Sequence, residues 1–379
     1  FQILDAALPA ADRPYTRLPR LVAAGDWTLG GKRGLAWGFD SELVNFDRNT
    51  GVTGWRFDAA PRIGLDWSGP GYFLRPQAGY RYTSYSLGNT SPDTNDSPDR
   101  QLPFVTVDSG VVLERPSGSR GQRRITLEPR ALYLYTPFRN QDELPVFDTI
   151  VPDLNTVQLF RTTRYTGADR VSDANQLSIG VTSRLFETAT GTQFVALTLG
   201  QAFYFERTRV SLPDETTPNR NKSDFVGQLA LTAYRNWSLD GALQFNPEDN
   251  RSERLQFSLQ YRPGNDRVVN LAYRSQRNSI EQAEVSAAWP IGKRWSAFAR
   301  MVYSLRENES LDQFAGFEYR ACCWRVRTVA RRFVSSRTGE QDTGIFLQLE
   351  LTGLASVGTP ADAFLERSIR GYSPDKRSR

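Results

Sequence analysis

The sequence predicts an all-β fold, an antiparallel up-and-down transmembrane β-barrel of which about 17 strands are present. Three observations predict it. Side chains alternate between apolar and polar with a period of two along most of the chain. The connections between these runs alternate between short and long. Aromatic residues make up 12% of the chain although its mean hydropathy is −0.50, a combination that suits a wall with lipid on one face and water on the other.

In chain order, the expected strands are 18–27, 34–45, 55–67, 72–87, 104–114, 123–137, 176–187, 193–205, 225–235, 237–246, 254–262, 268–275, 283–290, 295–305, 313–320, 324–334 and 343–351. The run from Trp237 is the cleanest. Trp237, Leu239, Gly241, Leu243 and Phe245 fall on one face, with Ser238, Asp240, Ala242, Gln244 and Asn246 on the other. Leu255, Phe257, Leu259 and Tyr261 repeat the pattern, and so do Val269, Leu271 and Tyr273. A helix would not separate these sets, because its neighbours recur at three and four residues. Several runs reach ~10 residues, enough to cross a bilayer when tilted.

The connections fix the orientation. Short ones fall at Gly30-Gly31, Ser68-Gly69-Pro70-Gly71, Asn236, Pro263-Gly264-Asn265 and Ile291-Gly292-Lys293. Longer polar ones lie between them: Gly88 to Pro103, Phe138 to Asn175, Glu206 to Ser223 and Pro247 to Ser252. Short periplasmic turns and longer extracellular loops give this alternation. Trp27, Trp67, Trp289 and Trp295 then sit beside short turns, where amphipathic rings anchor in the membrane interface. A soluble propeller would instead show a repeat of ~40–50 residues, and the sequence has none.

Arg325, Arg327 and Arg331 alternate with Trp324, Val326, Thr328 and Ala330. An Arg facing lipid at mid-depth costs ~2–4 kcal/mol, so these three are expected to face the lumen. They either solvate it or meet a plug or a phosphate-bearing sugar. In the last strand, Ile345, Leu347, Leu349 and Leu351 are expected to face lipid, with Phe346, Gln348 and Glu350 facing the lumen.

Several function classes are excluded or disfavoured. There is no His, which removes Ser-His-Asp and Cys-His catalysis and His-ligated metal sites. No catalytic residue, metal or cofactor is assigned. The net charge of +5 is modest and the Arg residues are scattered, unlike the concentrated basic face of a nucleic-acid binder. No run approaches the ~18 apolar residues of a transmembrane helix. Phe1 is not Met, and no signal peptide precedes the strands, so the chain is expected to be a piece of a longer protein in which Phe1-Gln2-Ile3-Leu4 ends a strand. Residues 1–352 are assigned to the barrel and 353–379 to a periplasmic tail.

Cys322 and Cys323 are the only cysteines. Adjacent Cα atoms lie ~3.8 Å apart, whereas disulfides usually need ~4.4–6.8 Å, so a mutual bond would be strained. If oxidised, each is expected to pair with a cysteine outside this sequence; the bland alternative is two free buried thiols. The strand count places them at a periplasmic turn, an oxidising compartment.

Three stretches resemble the LptD family of lipopolysaccharide-assembly proteins. Leu127-Glu128-Pro129-Arg130-Ala131-Leu132-Tyr133-Leu134-Tyr135-Thr136-Pro137-Phe138 resembles one family strand. Arg164-Tyr165-Thr166-Gly167-Ala168-Asp169-Arg170-Val171-Ser172-Asp173-Ala174-Asn175-Gln176, with Gly180-Val181-Thr182-Ser183-Arg184, is the most specific match. The pair Cys322-Cys323 followed by Phe346-Leu347-Gln348-Leu349-Glu350-Leu351-Thr352-Gly353-Leu354 resembles the terminal strand. The resemblance implies a multi-pass barrel in the outer membrane of a Gram-negative bacterium. It also implies that an N-terminal periplasmic jelly roll and further barrel strands precede this sequence.

By resemblance, Cys322 and Cys323 bond to cysteines of the N-terminal region. Lipopolysaccharide arrives from the periplasmic bridge protein LptA, a lipoprotein, LptE, plugs the barrel, and the acyl chains pass into membrane lipid through a lateral seam between first and last strands. No bond is made or broken, so the chain is not an enzyme. A general porin is the alternative that composition alone leaves open.

Overall fold

The computed structural model describes residues 14–30, 33–92, 94–213, 215, 220–234, 236–335, 340–351, 354–358 and 361–373. The expectations on Phe1 to Leu4, Gly31, Thr352, Gly353 and parts of the connections Gly88 to Pro103 and Glu206 to Ser223 lie outside them. The chain is all-β and divides into two compact units. One takes in residues up to Ser117, Arg124–Ser183 and Thr198–Val226; the other takes in Gly118–Arg123, Arg184–Leu197 and everything from Gly227.

The first strands are β1 (Thr16–Leu29), β2 (Arg33–Asp47), β3 (Thr53–Gly69), β4 (Tyr72–Gly88), β5 (Asp99–Val111), the short β6 (Leu113–Ser117) and β7 (Arg123–Thr136). They are followed by β8 (Ala174–Glu187), β9 (Gln193–Tyr204), β10 (Phe225–Tyr234), β11 (Trp237–Asn246), β12 (Arg251–Gly264) and β13 (Arg267–Gln276). The last strands are β14 (Ile280–Pro290), β15 (Trp295–Ser304), β16 (Glu309–Arg320), β17 (Trp324–Val334), β18 (Gln341–Leu351) and β19 (Ala355–Gly358), with one α-helix among the described residues, α1 (Ala361–Ser368). The ladders from β1 to β5 and from β11 to β19 are antiparallel and join sequence neighbours. That is the up-and-down connectivity of a transmembrane β-barrel. No helix among the described residues is long and apolar enough to cross a membrane.

All 17 expected strands are present, most within two residues of their expected ends. The turns end them for a local reason. Asn236, Asn250, Asn278 and Asn308 have φ of 70°, 50°, 56° and 57°, a left-handed conformation that Asn tolerates at tight turns. The largest departure is β5, which starts at Asp99 rather than 104 because Arg100 faces inward and is held there; β12, β14 and β16 start three, three and four residues early. Two strands and the helix were not expected. β6 and β19 are too short to show a period, and α1 lies in the region read as tail.

The two faces separate as the alternation requires. In the first unit, Trp27, Trp37 and Ile63 are registered partners and all are exposed. On the opposite face, the Arg62 guanidinium spans Asp26 and Asp40, at 2.5 Å each. In the second unit, Leu259, Leu271, Val285 and Met301 form one registered row, of which Leu271, Val285 and Met301 are exposed. Such a row is unfavourable in water and favourable in lipid.

Candidate functional site

Two places concentrate interactions on the polar face, one in each unit. In the second unit, β16, β17 and β18 put Glu318, Arg325, Arg327, Arg331 and Glu350 on a common face. The three arginines share one face of β17 with the charged residues of the flanking strands. Their environment is not open water, however. Arg327 is 1% exposed and pairs with Glu318 and Asp362. Arg325 lies 3.3 Å from Glu350. Arg331 bonds Asp312 at 2.8 Å, and Asp312 also accepts from Arg300 at 2.8 Å. Removing one partner of such a buried pair costs about 3–5 kcal/mol, because the other charge is stranded.

Immediately beside these charges runs an apolar row. Val268, Ala288, Phe298, Gly316, Val329 and Phe346 are successive registered partners across β13 to β18. A wet lumen would not hold such a row. Here α1 and the residues after it cover it. Leu365 and Ile369 are fully buried in one cluster with Val268, Ala288, Phe298, Phe314 and Val329. Phe364 stacks on Phe346 with centroids 4.9 Å apart, and Tyr372 meets Phe298 edge-on at 5.3 Å. Each fully buried large side chain contributes about 1.5–3 kcal/mol. Polar contacts set the register of the tail. Arg370 donates to Asp240 at 2.9 Å and Ser258 at 2.5 Å, and its carbonyl accepts from Gln260 and Asn270 at 3.0 Å each.

β18 has two faces of different exposure. Ile345, Leu347, Leu349 and Leu351 are exposed, at 73%, 56%, 40% and 40%, while Gln348 is buried and Phe346 and Glu350 are half-buried on the opposite face. Cys322 and Cys323 occupy the turn between β16 and β17. Both are exposed and unbonded, their sulfurs 2.8 Å apart. The hydrogen bond and charge of Cys322 push the Cys323 thiol above its ordinary value.

In the first unit the segment most specific to the resemblance closes a long loop between β7 and β8. Arg56, fully buried on β3, reaches Glu42 at 2.6 Å, Asp148 at 2.7 Å and Asp169 at 2.6 Å. Asp169 also accepts from the Phe147 and Asp148 amides at 2.8 and 2.9 Å and from the Tyr85 hydroxyl at 3.0 Å. Burial alone would raise the Asp148 carboxyl, but the hydrogen bond and charge of Arg56 outweigh it and hold it below its ordinary value. Arg100 donates to Gln141 and to the carbonyls of Ala168 and Asp169, within 2.9 Å.

The other signature residues serve the same closure. Gly167 has φ of 76°, and a Cβ there would lie 2.6 Å from the Asp148 carboxylate. Arg170 donates to the carbonyls of Leu144 and Pro145 at 2.8 and 3.1 Å. Arg164 donates to Tyr165 at 2.8 Å and to Glu215 at 2.5 Å. The buried Tyr165 phenol donates to the Val210 carbonyl at 2.9 Å, and its pKa is pushed up to about 12 by burial. Asn175 accepts from Tyr133 at 3.1 Å and donates to Glu206 at 2.9 Å, with Gln176 next to it in β8. These side chains hold a backbone shape. Among the described residues, no group of three His, Cys, Asp or Glu could hold a metal ion.

Residues 1–295 match the family described as LptD, LPS transport system D. The chain is similar to the LPS-assembly protein LptD of Nitrosococcus oceani, with 38% identity over 378 residues, covering 98% of this chain and 51% of that protein. It is similar to that of Aromatoleum aromaticum at 37% identity, covering 96% and 46%, and to that of Xanthomonas campestris pv. campestris at 39%, covering 99% and 52%. The chain thus spans about half the length of these relatives. Among solved structures it is similar to the siderophore receptor PirA from Acinetobacter baumannii, with 9% identity, covering 90% of this chain and 66% of that one, at a TM-score of 0.36.

Proposed function

The chain belongs to the LptD family of outer-membrane proteins, and from that premise we propose that it is the C-terminal part of the barrel that inserts lipopolysaccharide into the outer leaflet. The cargo leaves sideways between β18 and the first strand of the full-length barrel. The observation that carries this reading is β18 itself, a strand with four exposed apolar residues on one face and Phe346, Gln348 and Glu350 on the other.

The physical need for a seam comes from the cargo. Acyl chains lose ~0.8 kcal/mol for each CH₂ moved from lipid to water, and a polyanionic saccharide is excluded from hydrocarbon. A wall that parts sideways keeps each portion in its preferred medium. The seam is not a reaction centre, so the protein acts as a conduit rather than an enzyme. On this reading Cys322 and Cys323 pair with cysteines of the N-terminal region, LptA delivers the cargo and LptE plugs the lumen. The porin alternative is not favoured, because the relatives named above are all lipopolysaccharide-assembly proteins.

A seam lock tests the proposal. In the full-length protein, Ile345→Cys is combined with a cysteine on the facing residue of the first strand. Oxidation should stop lipopolysaccharide from reaching the cell surface, and a reductant should restore it. A Val326→Cys/Leu349→Cys pair, which joins β17 to β18 within the wall, should leave delivery unchanged. Normal surface delivery with the seam covalently closed overturns the lateral route.

A further inference from the structure

The segment after β18 does two things in sequence, and both act on the same strand. It first turns back as β19 and pairs antiparallel with β18, matching Leu351 with Ala355, Glu350 with Ser356, Leu349 with Val357 and Gln348 with Gly358. This pairing uses the edge of β18 that β17 does not. The rest of β18, Gln341 to Leu347, lies outside it. The exposure of the outward residues falls along the strand accordingly, from 73% at Ile345 to 40% at Leu349.

The chain then crosses to the polar face and becomes α1. The crossing point is Gly358, which has φ of 106°, and a Cβ there would lie 2.2 Å from the Leu347 carbonyl oxygen. Only a residue without a side chain can cross the edge so closely. On the far side Gln348, the partner of Gly358, accepts from the Asp362 amide at 3.2 Å, and Asp362 pairs with Arg327. Leu365 and Ile369 then fix the helix on the apolar row. The whole device lies within one compact unit.

We propose that β19 and α1 form a strap that guards the free edge of the last strand. β19 occupies four residue positions at the end of β18 nearest the short turns, and α1 holds it there. An edge already paired cannot pair with another strand. Any seam made by β18 is therefore limited to Gln341–Leu347 and stays unzipped at its other end, the end from which cargo would enter. The functional sense of the strap rests on the seam reading; its existence as an edge guard does not.

The test uses the full-length protein in isolated outer membranes. Leu349→Cys is combined either with Val357→Cys, which reports the strap, or with Val326→Cys, which reports the wall. Registered antiparallel partners lie ~4.5–5.5 Å apart at Cα, within the range a disulfide spans. After mild oxidation, cleavage at Glu350 and mass spectrometry give the fraction of each pair closed. The strap pair should close about as fully as the wall pair, and Gly358→Val should reduce the strap pair by about ten-fold while sparing the wall pair, since a β-branched residue is strained at that φ. A wall pair that closes while the strap pair stays open overturns the proposal, because the first strand of the barrel would then own those positions. Strap closure that is indifferent to Gly358→Val overturns the crossing. Neither readout involves lipopolysaccharide, so failure here and failure of the seam lock are separable.

Discussion

The loop between β7 and β8 should open when Arg56 loses its charge. Arg56→Met keeps most of the buried stem and removes the guanidinium that joins β3 to Glu42, Asp148 and Asp169. Stranding a buried charge costs about 3–5 kcal/mol. Asp169 keeps its donors from Phe147, Asp148 and Tyr85, and Glu42 and Asp148 keep a partial outlet to solvent. The lower figure of about 3 kcal/mol is therefore expected, which is roughly a hundred-fold change in an opening equilibrium. Hydrogen exchange reads it directly, since the Phe147 and Asp148 amides are bonded to Asp169 and exchange when the loop opens. Both should exchange about a hundred-fold faster in the variant. The comparison is Arg20→Met, which removes an ion pair to the same Glu42 from an Arg that is half exposed, and is worth at most about 1 kcal/mol. Equal effects from the two variants, or unchanged exchange at Phe147 and Asp148, would refute the claim that Arg56 closes the loop.

Two further outcomes follow from the buried charges. Glu318→Gln should destabilise the folded barrel by about 3 kcal/mol in urea unfolding, the lower figure for a broken buried pair because Arg327 loses its most buried partner but keeps Asp362 and Glu350, and adding Arg327→Met should return part of that loss; a double variant no better than the single one contradicts the pairing. The phenol of Tyr165 should titrate near 12, read as the tyrosinate absorbance lost in Tyr165→Phe. Its raised value means that its stabilising contribution is complete below the ordinary tyrosine pKa of about 10 and is lost as pH rises through the folded value. A midpoint at the ordinary value would place the side chain in water.

The strands were legible because a half-lipid wall writes a period of two into the sequence. For β11 and β17 the expected and observed ends are the same, since Trp237 and Trp324 open clean period-two runs and the neighbouring turns are abrupt. The polar face was legible as a direction but not as an environment. Arg325, Arg327 and Arg331 alternate visibly along β17, yet Glu318, Asp312 and Glu350 come from flanking strands, and nothing in one strand states its register against the next. The helix was missed although both halves of its signal were present. Phe364, Leu365, Ile369 and Tyr372 recur at helical spacing, and Val268, Ala288, Phe298 and Val329 are apolar at positions that alternation assigns to water. Either set alone reads as noise; together they specify a buried helix on the polar face. In the loop, Asp169 and Arg170 were legible as a signature, but Arg56 and Arg100 were not, because each reaches the loop from a strand far away in sequence.

Why this wall keeps ion pairs beneath α1, where apolar residues would pack at least as well, has a physical answer in register. Burying charges adds little net stability, but it penalises every arrangement in which a charge loses its partner. A slip of β18 by one residue against β17 would turn Ile345, Leu347 and Leu349 toward α1 and present Phe346, Gln348 and Glu350 to lipid. It would also carry Glu350 away from Arg325 and Gln348 away from the Asp362 amide. The apolar row alone would resist such a slip weakly, since Leu347 or Ile345 could stand in for Phe346 under Phe364. The charges cannot be substituted in that way. The terminal strand is thus pinned in one register by its charged neighbours, while its other edge keeps a stretch from Gln341 to Leu347 that β19 does not hold. A strand fixed on one side and only partly engaged on the other is what a wall needs if it is to part repeatedly at one place without unravelling.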